Sequence, residues 1–392
     1  MNVLILTKYF SPIRNGLSDH TELIRDLFKQ NCSSVTVLCQ QTAERSLAKP
    51  LNIDDQDIFE YVNYPDFIRQ LSYICKRKKP DVVLFQYVPH MWGKAGVAPF
   101  AALLPLWIKC VYKVPVVSFM HELHYDWSFK PKQLLLALCH RIQLLLIGGS
   151  SRFQIVTNHK REHALKRFWN GKIYRIPAGN VSGRKDDALR TPRYPWPYIT
   201  WFGTLSELQR LEELVWAFAG LAGKHKELRL VLVGGFNVKA SRVAEIKRYA
   251  EEQGFAERLV IRGFVDDDEL SDILYGSVVN VFVESSGPSG RRTVVAAYLR
   301  SGRALVAING SETDPEFIHG ENVLLAGDRD ESALAEQIRC VLERDSVRKR
   351  LEKGARSLYQ QHYSDEALSE KLTDMLSHAL RGYYADHKRG AL

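Results

Sequence analysis

At 392 residues the chain is too long for one ordinary core and suits two domains; 45% hydrophobic and 25% charged residues with no low-complexity tract exclude the disordered and fibrous classes. A formal net charge of +9 implies attraction to something anionic, and nucleic acid, a membrane face and phosphorylated substrates all qualify. The six cysteines (Cys32, Cys39, Cys75, Cys110, Cys139, Cys340) lie far apart with no C-x-x-C pair, which favours reduced, packed thiols in a cytosolic compartment over a disulfide frame or zinc site.

The N-terminal MNVLILTKYF lacks a basic n-region and a cleavage site and runs into a turn at Ser11–Pro12, so it reads as a buried strand rather than a signal peptide. Strands are expected at Val3–Thr7, Val35–Cys39, Val82–Gln86, Val114–Met120, Gln154–Thr157 and Ile173–Ile176. Between them lie the amphipathic stretches Thr21–Lys29, Asp66–Lys76 and Leu134–Ile147. The strands are continuous apolar runs rather than alternating ones, as a parallel sheet covered on both faces requires. Two longer apolar stretches, Val97–Phe119 and Leu134–Gly149, are not expected to span a membrane. Prolines, Lys109 and Lys113 break the first, and the second is short and carries His140 and Arg141. The protein is therefore expected to be soluble and cytoplasmic. The basic run Lys76–Arg77–Lys78–Lys79 closes a predicted helix, where positive charge complements the helix dipole.

The segment Pro177–Pro197 is proline-rich, charged at Arg184–Asp187 and without periodicity, which reads as a linker. The alternation then restarts with strands at Tyr198–Phe202, Leu228–Val233, Leu259–Arg262, Val279–Val283 and Ala304–Ala307. Helices are expected at Leu211–Leu221, Ala240–Gln253, Asp268–Leu274 and Thr293–Arg300, and the tail from Asp330 is helical. Alternating β and α elements in both halves imply two doubly wound parallel sheets, whose ligands bind at the carboxyl ends of the strands.

Ordered landmarks punctuate this rhythm. The loop Ser11–Asp19 holds Gly16 and opens a helix whose N–H groups suit an anion. The strand Val114–Met120 ends in His121, within S-F-M-H-E-L. I-P-A-G-N (Ile176–Asn180) precedes the linker, and W-F-G-T-L (Trp201–Leu205) follows it. Then come V-L-V-G-G (Val231–Gly235), I-R-G-F-V (Ile261–Val265), G-P-S-G-R-R-T (Gly287–Thr293) and D-P-E-F-I-H-G-E-N-V-L-L (Asp314–Leu325). In this order, over nearly the whole chain, they resemble the landmarks of the family-4 retaining glycosyltransferases of the GT-B fold.

The resemblance implies an α/β GT-B architecture of two Rossmann-like parallel-sheet domains facing across a cleft. Residues 1–182 would form the acceptor domain, 183–197 the linker and 198–365 the nucleotide-sugar donor domain, with a helix over 366–392 returning to the first domain. It implies transfer of a sugar from a nucleotide-diphosphate sugar to an acceptor hydroxyl with retention, in glycan, glycolipid or glycosylated-metabolite biosynthesis. His121 would contact the transferred sugar, Gly16 and Gly203 would approach the phosphates, and Asn180, Gly263, Phe264, Val265 and Ser289 would lie near the base or sugar. Glu316 and Asn322 match the family's later landmark.

The chain departs from the family at the charged positions. The usual arginine and lysine fall on Thr204 and Gln209, and the usual paired glutamates fall on Ser289 and Ala297. Arg291 and Arg292 stand instead just ahead of the helix that opens at Thr293, where the dipole disfavours cations unless an anion is shared. They are the expected replacement phosphate clamp. No metal or other cofactor is expected, since Asp266–Asp267–Asp268 begins a helix and reads as a cap. A non-catalytic GT-B partner or activator is the alternative, and an epimerase, which needs carboxylate bases, is a lesser one. The acceptor is a glycan, a lipid-linked or a small molecule. Peripheral contact with the inner membrane face is allowed by Lys76–Lys79 and the apolar Leu103–Trp107; nucleic acid is not an expected partner.

Overall fold

The computed structural model describes residues 1–13, 15–42, 57–123, 129–182, 190–236 and 240–389. Arg14 of the expected glycine loop, 183–189 of the expected linker (with Arg184–Asp187) and the last three residues of the expected returning helix lie outside the described residues. The chain divides into two compact units, Met1–Pro177 with Leu368–Leu392, and Ala178–Ala367.

In the first unit, seven strands are β1 (Asn2–Leu6), β2 (Ser34–Gln40), β3 (Ile58–Tyr61), β4 (Val82–Tyr87), β5 (Val116–Met120), β6 (Phe153–Val156) and β7 (Ile173–Arg175). They form a sheet in the order β3-β2-β1-β4-β5-β6-β7. The second unit has β8 (Tyr198–Thr204), β9 (Arg229–Gly235), β10 (Leu259–Arg262), β11 (Val279–Phe282), β12 (Ala304–Ile308) and β13 (Leu324–Ala326), ordered β10-β9-β8-β11-β12-β13. The pairings between these strands are parallel. Every residue of β4, β5, β11 and β12 is buried, so helices cover both faces. Each order reverses once, between β1 and β4 and between β8 and β11, and crevices at such points bind ligands in this architecture.

Asparagines and aspartates start several helices. Asn15 caps Gly16–Asn31 by accepting from the N–H groups of Leu17 and Ser18, and Asn63 caps Tyr64–Arg77 with Pro65 in its first turn. Asp266 caps Asp267–Gly276 by accepting from Glu269 N at 2.7 Å. The helix Asp365–Arg389 lies on the first unit, where Asn31 Nδ2 donates to Ser369 Oγ at 2.6 Å and Leu372, Leu376 and Ala379 are buried.

Among the described residues, several elements go beyond the sequence expectation. β3 and β13 are extra edge strands, and the helices Pro99–Tyr112 and His159–Lys166 are also additional. The stretch expected over Leu134–Ile147 is a helix of 20 residues, Pro131–Ser150, and is long and apolar enough by composition to cross a membrane, with 44% of its apolar window buried inside the protein.

Gly234 shows where the second sheet is tightest. Its φ is +128°, and a Cβ there would stand 2.0 Å from the carbonyl oxygen of Gly203, its partner across β8 and β9. Gly234→Ala is expected to destabilise the protein by roughly 2–3 kcal/mol, because strain and overlap add. Chemical denaturation checks this, and a loss under about 0.5 kcal/mol would contradict the steric account.

Candidate functional site

At the switch point of the second unit, the loop after β8 is stitched to the chain leaving β11. Arg210 N donates to Val283 O at 2.6 Å and Ser285 N to Leu208 O at 3.0 Å, which brings Gln209 opposite Glu284. Both side chains are buried, and Gln209 Nε2 donates to Glu284 Oε2 at 3.1 Å. Ser286 Oγ donates to the other carboxylate oxygen at 2.6 Å. A carboxylate enclosed in this way requires a cation, and Arg292 supplies it by ion-pairing with Glu284. Arg291 lies 3.9 Å from Glu284 and pairs with Glu312 through Nε at 2.9 Å.

The structure therefore brings Gln209, Arg291, Arg292 and Thr293 together, and adds two carboxylates that the sequence reading did not assign. Two guanidiniums stand against Glu284 and Glu312, so the cluster is formally neutral rather than a bare cationic clamp. Burial pulls the Arg292 guanidinium below its usual range, while Glu312 opposes that shift. It remains a cation, as arginine does in proteins. Arg292 is also the N-cap of the Thr293–Ser301 helix, which no side chain caps, so the positive end of that dipole adds to the site.

The loop carrying the arginines is held by close backbone contact. A Cβ on Gly287, whose φ is +85°, would lie 2.1 Å from Thr313 Oγ1, and one on Gly310 would lie 2.3 Å from Ser285 O. Glu312 N donates to Ser286 O, Asp314 N to Pro288 O, and Gly290 N to the Asp314 carboxylate at 2.7 Å. Arg292 N closes a turn onto Ser289 O at 3.0 Å, and Ala178 N donates to Gly290 O.

The neighbouring strand ends form a second group. Gly234 N donates to Gly263 O at 3.2 Å, and the space beside Gly235 is bounded by Thr204 and by the ring of Phe264. Phe264 is 80% exposed, so this ring is presented at the carboxyl end of β10 and is not a core residue. Val265 packs partly against the core instead. A Cβ on Gly263 would meet nothing within 4 Å. Two expected ligand contacts are enclosed by protein: Ser289 is fully buried, and Asn180 is buried with its Oδ1 accepting from Ser182 N. Asn322 clasps its own loop, accepting from Ile318 N and donating to Glu316 O.

In the first unit, His121 follows β5 and its N–H donates to Tyr87 O at 3.0 Å. Its Nε2 lies 2.5 Å from Oε1 of Gln86, at the end of β4. The imidazole stacks on Phe119 at 4.6 Å and meets the edge of His20 at 4.8 Å. His20 belongs to the helix that starts at Gly16, so this helix touches His121 directly. Burial holds His121 well below its usual range, helped by His20 and Arg161, and burial brings His20 down to about 3. Both rings are thus neutral near pH 7. A Cβ on Gly16 would meet nothing within 4 Å, so no packing among the described residues calls for glycine there.

Two doubly wound parallel-sheet units, with a polar cluster at the switch point of the second, define a protein of the GT-B type. Residues 196–344 match the family model described as Glycosyl transferases group 1. Among solved structures, the chain is similar to sucrose-phosphate synthase from Thermosynechococcus elongatus, at 16% identity and TM-score 0.70 over 97% of this chain and 99% of that one. It is similar to HepE from Anabaena in complex with UDP-glucose, at 15% identity and TM-score 0.67 over 96% and 99%. The pneumococcal O-GlcNAc transferase GtfA, in complex with UDP and GlcNAc, gives 12% identity and TM-score 0.71 over 97% and 99%. No curated protein matches the sequence. The chain has the GT-B fold, and the match to the glycosyl transferases group 1 model falls within its second unit.

Proposed function

We propose that the protein transfers a sugar from a nucleotide-diphosphate sugar to an acceptor hydroxyl with retention at the anomeric carbon, without a metal. The observation that carries this reading is the arginine pair at an uncapped helix start beside the β8/β11 switch point. The diphosphate is assigned to the Thr293 end of that helix and to Arg291, and Arg292 stays with Glu284. Gly203 and Thr204 border the phosphates, and Gly263 and the exposed ring of Phe264 take the base. In the first unit, Gly16 and His121 are assigned to the sugar. No protein nucleophile is needed. The bond between the anomeric carbon and the diphosphate breaks, the acceptor oxygen bonds to that carbon, and its proton goes to a diphosphate oxygen. N–H groups and the guanidinium stabilise the leaving charge.

A second reading, a non-catalytic GT-B partner protein, is favoured by one observation: Glu284 and Glu312 already neutralise both arginines. Titration calorimetry with nucleoside diphosphates and nucleotide sugars separates the two. Under the first reading the protein binds a nucleoside diphosphate and slowly hydrolyses the matching nucleotide sugar. Arg291→Ala is expected to weaken that binding about 10- to 100-fold, the loss of one charge-assisted contact of about 1.5–3 kcal/mol. Unchanged affinity removes Arg291 from the phosphate site, and no binding across the panel favours the partner protein. The acceptor is proposed to be a glycan or lipid-linked molecule in a biosynthetic route at the inner membrane face, a cytoplasmic setting. Leu103 and Leu106 are exposed and the Lys76–Lys79 run is exposed at a helix end, which supports membrane contact.

A further inference from the structure

The Pro131–Ser150 helix has two faces of different chemistry. Its inward face carries the polar groups that interrupt the sequence: His140 Nε2 lies 3.1 Å from Ala95 O, and Arg141 donates to Ala137 O at 2.9 Å. On the outward face Leu134, Leu135, Leu138, Ile142, Leu145 and Leu146 recur at helical spacing and are 38–61% exposed. Leu103, Leu106 and Val111 are exposed on the Pro99–Tyr112 helix that packs against it. An apolar stripe running the length of a helix, in open solvent, marks an interaction surface.

Charge identifies what covers it. Neither helix contains an aspartate or glutamate. Lys109 and Lys113 at the end of one helix and Lys130 and Lys132 at the start of the other are exposed, and the exposed Glu122 lies near enough to act on His140. A second copy docked on this face would bring the same leucines and lysines, and neither helix offers a carboxylate to pair with them. A surface of anionic headgroups over acyl chains answers both the lysines and the leucines. The buried inner face, 44% of the apolar window, forbids crossing without unfolding the unit, whereas lying in the interface leaves that face in place.

We propose that the outward face of the Pro131–Ser150 helix, with the exposed leucines of Pro99–Tyr112, seats shallowly in a bilayer containing anionic phospholipids. The proposal extends the membrane contact suggested above to a specific insertion face, and stands whether or not the donor site is active. It is tested with the full chain by flotation on phosphatidylcholine vesicles with and without phosphatidylglycerol. The chain is expected to float with the mixed vesicles, less with pure phosphatidylcholine, and less as salt is raised. Leu138→Glu combined with Ile142→Glu is expected to cut partitioning roughly tenfold or more, since two exposed anchors become anions. Lys130→Glu combined with Lys132→Glu should weaken it without touching the stripe, which keeps the test open if the first variant folds poorly. Wild-type protein that fails to float, or folded variants that float like wild type, overturn the proposal. So does gel filtration showing a wild-type dimer that the Leu138/Ile142 variant dissociates while flotation is unchanged.

Discussion

Replacing Glu284 with alanine is expected to cost about 3 kcal/mol of stability, because it takes from the half-buried Arg292 cation its ion-pair partner and leaves only the more distant charge of Glu312. The carboxylate is the common acceptor of Gln209 and Ser286 and the ion-pair partner of Arg292, so one deletion strands three polar groups. The melting temperature should fall on the order of 10 °C, measured by scanning calorimetry. Adding Arg292→Met to Glu284→Ala should recover much of the loss, since removing both charges removes the orphan. A single variant as stable as the wild type would mean that the carboxylate is not holding this loop. The double variant also bears on function: if stability returns and nucleoside-diphosphate affinity does not, Arg292 itself contributes to the phosphate site.

Acid is expected to weaken the protein through His20. The ordinary imidazole value is 6.5, and in the folded protein burial lowers it to about 3. A depressed folded value means that the unfolded chain takes a proton which the folded chain refuses. The contribution is whole above 6.5 and is lost progressively as pH falls from 6.5 toward 3. The slope from one such group is about 1.4 kcal/mol per pH unit. His121 is shifted in the same direction and adds to it. His20→Phe keeps an aromatic edge against Phe119 and His121 and removes one titrating site. Its unfolding free energy, followed by chemical denaturation as a function of pH, should fall less steeply by about one proton. Equal slopes in both proteins would show that His20 is protonated in the folded state.

The parallel sheets were legible because their strands are unbroken apolar runs, such as Val-Val-Leu-Phe in β4 and Ala-Leu-Val-Ala-Ile in β12. What escaped lacked that signal. β13 is three residues long, and β3 carries Glu60 in its middle. The Pro99–Tyr112 helix contains Pro105, and His159–Lys166 buries only Leu165, so no apolar stripe marks it. At the site, the oddity of two arginines ahead of a helix was readable from the dipole. Glu284 was not, since it reads as the tail of a strand until Gln209 is folded across from it. Glu312 is distant in sequence and reaches Arg291 only because Gly310 lets two loops meet. Phe264 was named through the family resemblance alone, since aromatic residues beside strands usually face the core; its ring is 80% exposed.

The contact between Gly287 and Gly310 has a wider meaning. Each of these loops fills the place where the other would carry a methyl group. A side chain gained on Gly310 meets only main chain, and one on Gly287 meets main chain at Gly310 behind the Thr313 hydroxyl, so trimming a neighbouring side chain accommodates neither. New specificity at this end of the sheet must therefore come from outside the pair, at Thr204 or Phe264, where side chains border open space.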